Sequence, residues 1–242
     1  MARIASESKM GYYPWPTEMM RAIFPHLSVE PTQDGFLNII DPCCGEGEAL
    51  SLMQGHLKKE IPTKSYGIEL EKGRAEAAKQ VLDCTINDGY ENVRTEANYN
   101  VVLLNPPYGE VFRERTELRF LRTLSSKSKN IFSNNSLLLF CVPQYVLKAC
   151  APVLSARFKN IKVYRFNDEH YPVFKQVVVF ANFGRGDKEE RKNSAKLLRD
   201  LSEAGPEALP TLEELEEIIN IPTTSESIQL IRAGRLKVEE LV

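Results

Sequence analysis

The alternation of apolar runs with helix-forming stretches constrains this chain more than any other feature of its sequence. Apolar runs at 36–40 and 101–104, and a third at 65–70 that carries an acid only near its end, read as buried strands, with helical stretches at 48–59 and 71–82 between them. Further strand signals follow at 136–142, 159–166 and 176–183, with a helical stretch at 144–155. Strands without polar alternation suit burial on both faces, and strands that take turns with helices suit a doubly wound α/β sheet, mostly parallel. The last two strands leave no room for a helix between them, so they pair antiparallel. A chain of 242 residues, 43% of them hydrophobic, can bury a full core of this kind in one domain.

Two strand ends carry chemistry. Val101-Val102-Leu103-Leu104 runs into Asn105-Pro106-Pro107-Tyr108-Gly109. The prolines cannot continue a ladder, so the chain stiffens as it leaves the sheet. Asn105 then stands at a strand's carboxyl end, where open α/β sheets bind ligands. An amide, two prolines and an aromatic ring suit a flat amino-bearing group, although a plain strand exit would also use a proline turn. Earlier, the strand at 36–40 ends in Asp41-Pro42-Cys43-Cys44-Gly45-Glu46-Gly47 ahead of a helix. Gly45 and Gly47 let backbone approach a ligand at a helix amino terminus, or serve a tight turn alone. Glu69 ends the next strand 22 residues after Gly47, near the spacing of about 20 at which a carboxylate takes ribose hydroxyls. Its bland reading is an acid at the start of the following helix. The turn lacks a third glycine and carries Glu46, which would repel phosphate, so a cationic ligand without phosphates fits better.

These residues, in this order, resemble the class I methyltransferases that use S-adenosylmethionine, and specifically the adenine-specific DNA methyltransferases with an Asn-Pro-Pro-Tyr motif in the gamma order. The resemblance covers roughly residues 10 to 184. It implies a Rossmann-like, doubly wound, mostly parallel seven-stranded sheet with one antiparallel edge strand. It implies S-adenosyl-L-methionine as cofactor, with Asp41, Pro42, Gly45 and Gly47 around its methionine part and Glu69 and Leu70 at the ribose. Asp88, followed by Gly89, matches the acid that accepts from the adenine amino group of the cofactor, and Asn105 borders the same site. The amino-terminal Tyr12-Tyr13-Pro14-Trp15-Pro16-Thr17 matches the segment that closes over the methionine end, with contacts from Tyr13 and Thr17. Here Trp15 and Pro16 stand where the family has a shorter pair, and Pro16-Thr17 could equally start a helix at 18–24.

The implied chemistry explains the motif. The exocyclic amine of adenine is a poor nucleophile because its lone pair is delocalised into the ring. The side-chain oxygen of Asn105 and the backbone carbonyl of Pro106 can each accept one amine hydrogen and localise that pair for attack on a sulfonium methyl. Pro107 helps to hold the loop, and Tyr108 offers a ring to one face of the base, worth about 1–3 kcal/mol. A flipped base has a second face, for which Phe174 is the expected platform and Tyr171 the fallback. A phenylalanine ahead of a valine-rich strand is also commonly core.

Charge adds little to a nucleic-acid reading. The net is −2 at pH 7, and the part after Gly184 holds 9 basic and 13 acidic residues. Arg113, Arg115, Arg119, Arg122, Lys127 and Lys129 follow the catalytic loop and could meet phosphates, or form a solvated face neutralised by Glu110, Glu114 and Glu117. The 5 cysteines and 3 histidines follow neither a disulfide framework nor a zinc spacing, so no metal is implied. No apolar run reaches the roughly 18–20 residues of a membrane span and no secretory pattern is evident, so a cytoplasmic protein is expected.

Two regions are expected: a methyltransferase domain at 1–184, whose residues 1–30 close over the cofactor, and a helical, acidic extension at 185–242. In the latter, Thr211 and Glu214 form a capping-box signature. Nothing there matches a target-recognition domain, which points to a separate specificity subunit, a longer polypeptide, or an enzyme that reads little sequence. The leading function is site-specific adenine methylation in DNA. The alternatives are methylation of an RNA base or of a protein glutamine amide, and, from another class, a non-catalytic binding subunit with the same fold.

Overall fold

The computed structural model describes residues 13–29, 35–95, 99–111, 113–225 and 231–234. Residues 1–12 of the expected closing segment lie outside this range. The chain opens with helix α1 (Thr17–Ile23), strand β1 (Leu27–Val29) and strand β2 (Leu37–Asp41). Helix α2 (Glu48–Leu57), strand β3 (Thr63–Glu69), helix α3 (Lys72–Ala78) and strand β4 (Cys84–Asn87) follow. Strands β5 (Val93–Thr95) and β6 (Tyr99–Leu104), the small hairpin β7 (Glu110–Val111) and β8 (Glu114–Arg115), and helix α4 (Thr116–Leu124) come next. The second half comprises β9 (Phe132–Pro143), α5 (Leu147–Arg157), β10 (Phe158–Arg165), the single turn α6 (Tyr171–Phe174) and β11 (Gln176–Phe183). Helix α7 (Lys188–Glu203) and the short strands β12 (Ile219–Ile221) and β13 (Ile231–Ala233) complete the described chain.

Seven strands form the central sheet in the order β10-β11-β9-β6-β2-β3-β4. The pairs β2/β3, β2/β6, β3/β4 and β6/β9 are parallel. Every residue of β2 and of β6 is buried, as the lack of polar alternation in both runs requires. The reversed strand is β11, antiparallel to both β9 and β10. It lies one place in from the edge expected for it, because β10 passes beyond it to become the edge. Successive strands run outward from β2 through β3 to β4, and the chain then returns to place β6 on the other side of β2. That reversal between β2 and β6 opens a crevice at their carboxyl ends, where doubly wound sheets take ligands.

Several elements are longer or shorter than their sequence signals. Helix α3 stops at Ala78, four residues early, and β9 starts at Phe132, four residues ahead of its apolar run. The change of composition at Arg185 is not a break in packing. Helix α7 lies along α5, and Leu198, Leu209, Leu212, Leu215, Ile219 and Ile221 join the common core. The amide of buried Gln144 donates to the carbonyls of Leu201 (2.5 Å) and Ala204 (2.9 Å), and β12 pairs in parallel with β1. The Thr211–Glu214 capping box is present and opens one short 3-10 turn. Among the described residues no helix is long and apolar enough to cross a membrane.

Candidate active site

The turn after β2 is built inward from Asp41. This carboxylate is 4% exposed and accepts from the Cys43 amide at 2.8 Å. Burial pushes its pKa up to about 7, only partly offset by the Cys43 amide, and nearby Glu69 adds to the rise. Burial likewise pushes the Cys43 and Cys44 thiols up, so neither is a thiolate at neutral pH. Gly45 and Gly47 both have positive φ, 57° and 85°. At Gly47 a Cβ would come within 3.0 Å of Val81, so this glycine serves helix packing as well as the turn.

Glu69 stitches three segments together. One oxygen accepts from the Gly45 amide at 3.0 Å. The other accepts from the Glu71 amide at 2.8 Å and from the Arg74 guanidinium at 2.7 Å. Glu71 in turn caps α3 through the amides of Gly73 and Arg74. At the end of β4, one oxygen of Asp88 accepts from the Gly89 amide (2.7 Å) and the Asn92 amide group (2.8 Å), and no described donor reaches its other oxygen.

Between these strand ends lies a cavity of about 200 Å³. Pro42, Glu69, Leu70, Asp88, Gly89 and Asn105 line it, together with Cys43, Arg74, Tyr90, Glu91, Pro107 and Phe120. Asp41, Gly45 and Gly47 shape the turn beside it without lining it. Arg74, Tyr90 and Phe120 carried no functional signal in the sequence: the two rings stack at 3.8 Å and Phe120 falls on the apolar face of α4, which reads as core.

Asn105 leaves β6 at the cavity's edge. Its Nδ2 donates to the backbone carbonyl of Tyr13 at 2.5 Å, and its Oδ1 accepts from the Tyr108 hydroxyl at 3.0 Å. The hydroxyl also accepts from the Gln176 amide at 2.8 Å. The loop is held from behind: the Thr116 amide donates to the Gly109 carbonyl at 3.0 Å, and the fully buried Glu117 carboxylate next along the chain pairs with Arg115.

Over residues 1–222 the chain matches the model of the Uncharacterised methyltransferase family (DUF6094). It belongs to that family. No curated protein matches it in sequence. The methyltransferase is similar in fold to a Listeria monocytogenes protein assigned to the class I S-adenosylmethionine-dependent methyltransferases, at 11% identity and a TM-score of 0.58, over 84% of this chain and 77% of that one. It is also similar to the type IIG restriction endonuclease BpuSI, at 18% identity and a TM-score of 0.57, over 99% of this chain but 33% of that one. The StiE O-methyltransferase segment shares the fold at 13% identity and a TM-score of 0.51, over 80% and 81% of the two chains.

Two groups of residues in this methyltransferase sit differently from their sequence expectation. The Tyr13 ring stacks on Tyr108, centroids 5.2 Å apart, and meets Phe174 in a tilted contact at 4.1 Å. The two rings expected to hold a base therefore both contact Tyr13, and Phe174 is partly exposed at the end of α6 rather than in the core. The fallback Tyr171 is buried, with its hydroxyl on the Gln144 side chain. Thr17 donates from its hydroxyl to Glu48 at 3.3 Å and lies, like Tyr13, off the cavity lining. The basic stretch is mostly paired: Arg115 with Glu117, Arg119 with Glu91, Arg122 with Glu114. Lys129 donates to the Glu91 carbonyl at 2.5 Å.

Proposed function

We propose that this methyltransferase transfers a methyl group from S-adenosylmethionine to the exocyclic amino group of adenine in DNA. The observation that carries the reading is Asn105: its carboxamide stands at the mouth of the cavity with its oxygen and nitrogen already told apart by their partners. The cavity's side chains suit the cofactor. Glu69, Asp88 and Glu91 bring carboxylates, and the Arg74 guanidinium is engaged by Glu69, so the lining favours a cation over phosphates. Glu69 would take ribose hydroxyls, Asp88 the cofactor's adenine amine, and Leu70, 65% exposed at the rim, one face of that ring. Pro42 and the Asp41–Gly47 turn would face the methionine end. Bound there, S-adenosylmethionine supplies a methyl group made electrophilic by its sulfonium.

The chain's own part is to prepare the nucleophile. Asn105 Oδ1 and the Pro106 carbonyl accept the two amine hydrogens and draw the nitrogen lone pair out of conjugation. A neutral amide does this without the cost of burying a full charge. Pro106 and Pro107 fix the loop, and Tyr108 and Phe174 hold the base once the Tyr13 ring has turned away from them. The restriction endonuclease among the proteins of similar fold is in keeping with a DNA substrate and does not carry it. One observation favours the second reading, an RNA base or a glutamine side chain: the arginines beside the loop are spent on internal ion pairs, which leaves less charge for a duplex backbone. Incubation with S-adenosylmethionine labelled in its methyl group, against DNA, RNA and protein, tests the proposal. Label recovered as N6-methyladenine in DNA is expected, and label confined to RNA or protein overturns it.

A further inference from the structure

The hydrogen bonds around Asn105 have a forced direction. A backbone carbonyl can only accept, so the carbonyl of Tyr13 fixes Nδ2 of Asn105 towards itself and Oδ1 towards Tyr108. Oδ1 cannot donate, so the Tyr108 hydroxyl must give it its hydrogen. The phenolic oxygen is then left with lone pairs only, and the group facing it at 2.8 Å, the side chain of Gln176, must be a donor. Gln176 is 4% exposed at the start of β11, and its amide nitrogen also lies 3.6 Å from Cys141 Sγ. The chain of donors therefore runs one way, from Gln176 through Tyr108 and Asn105 to Tyr13.

We infer that Gln176 is a positioning residue for the methyl acceptor, acting through the Tyr108 hydroxyl to keep the oxygen of Asn105, and not its nitrogen, turned to the incoming amine. The role rests on the amine chemistry proposed above. Oδ1 has two lone pairs: one takes the Tyr108 hydrogen and the other remains for the substrate. Were the carboxamide to turn over, an N–H would face the amine hydrogens and the acceptor would be lost. The titratable groups about the relay do not compete for its proton. Burial holds the Tyr108 phenol well above its usual range, and that of Cys141 is pushed up to about 12, so both keep their hydrogens. Glu117, which acts on Tyr108 through charge, is paired with Arg115.

Gln176→Glu tests the direction while preserving the shape. An ionised Glu at this position can only accept, so it takes the Tyr108 hydrogen and reverses the relay. A protonated Glu can donate and restore it. Turnover of Gln176→Glu is expected to fall roughly ten- to a hundred-fold at pH 8, with the Michaelis constant for the methyl donor within about two-fold of wild type, and to recover as pH falls. Gln176→Leu should lose a similar factor without recovery. Equal losses in both variants at every pH, or wild-type turnover in either, overturn the inference. A second readout needs no substrate: the carbonyl ¹³C resonance of labelled Asn105 should shift in Tyr108→Phe and in Gln176→Glu at pH 8, and return in the latter at pH 5. An unmoved resonance overturns the relay. Absence of any methyl transfer by the wild type, with the resonance behaving as described, overturns the proposed function alone.

Discussion

Asp41 makes stability depend on pH in a direction opposite to that of most carboxylates. Its pKa rises from an ordinary 3.8 to about 7 in the fold, because the residue is buried with one amide donor and Glu69 close by. Between these values the folded protein holds a proton that the unfolded chain has released. Stability from this group is fully present below pH 3.8 and is lost as pH rises through about 7. Over the two units from pH 5 to pH 7 the loss is roughly 2.5 kcal/mol, at about 1.4 kcal/mol per unit. Asp41→Asn keeps the shape and the acceptor for the Cys43 amide but cannot ionise. At pH 5 the variant should match wild type or fall about 1 kcal/mol below it, since an extra buried N–H goes unpaired. At pH 8 it should exceed wild type. Thermal unfolding of the two proteins without cofactor, side by side across pH 5–8, reads the difference directly, because all other titrations cancel. At about 2–4 °C per kcal/mol for a chain of this size, the gap in Tm should move by roughly 5–10 °C in favour of the variant. A gap that stays constant with pH refutes the reasoning, since Asp41 would then be ionised throughout.

Asn105→Ala should abolish methyl transfer, a loss of at least about a hundred-fold from one missing acceptor, while calorimetry finds cofactor affinity nearly intact. Tyr13→Ala removes the ring that covers Tyr108 and Phe174 and leaves the Tyr13 carbonyl in place; without two ring contacts worth about 0.5–1.5 kcal/mol each to displace, kcat/KM for the base substrate should rise roughly 5- to 100-fold. An unchanged kcat/KM with weakened cofactor binding would show that Tyr13 serves the cofactor instead. Glu69→Ala removes the partner of the Gly45 amide and of Arg74, so it should cost cofactor affinity and also lower Tm by several degrees, which equilibrium binding and thermal unfolding measure separately.

What could be read from the sequence followed from local rules. The run 101–104 had no polar alternation, so burial on both faces was forced, and the prolines after Asn105 marked where the sheet must end. Glu69 was singled out by its distance from Gly47, which a strand-turn-helix-strand unit fixes, and it lines the cavity. The residues that escaped depend on contacts between remote parts of the chain. Tyr13 meets Tyr108 and Phe174 only because α1 and α6 are brought to the end of β6, and no periodicity encodes that meeting. Gln176 is a polar residue at the start of a strand, where nothing local distinguishes a side chain open to water from one that is 4% exposed. Tyr108 offered both a ring face and a hydroxyl; the motif suggested the face, whereas the hydroxyl bonds to Asn105 and Gln176. Helix α7 is polar along most of its length, with Ser194 and Leu198 its buried residues, so its attachment to α5 left little trace in composition.

The pairing of β1 with β12 joins Leu27 to Ile219 and Val29 to Ile221. During synthesis the first of these strands therefore emerges long before its mate, and waits while nearly two hundred residues are made. Helix α1, which carries Tyr13 at its threshold, stays untethered on that side until the late segment arrives. Cutting the chain after residue 218 should accordingly loosen its beginning, so that a protease added to the truncated protein clips first near residue 27, far from the cut itself.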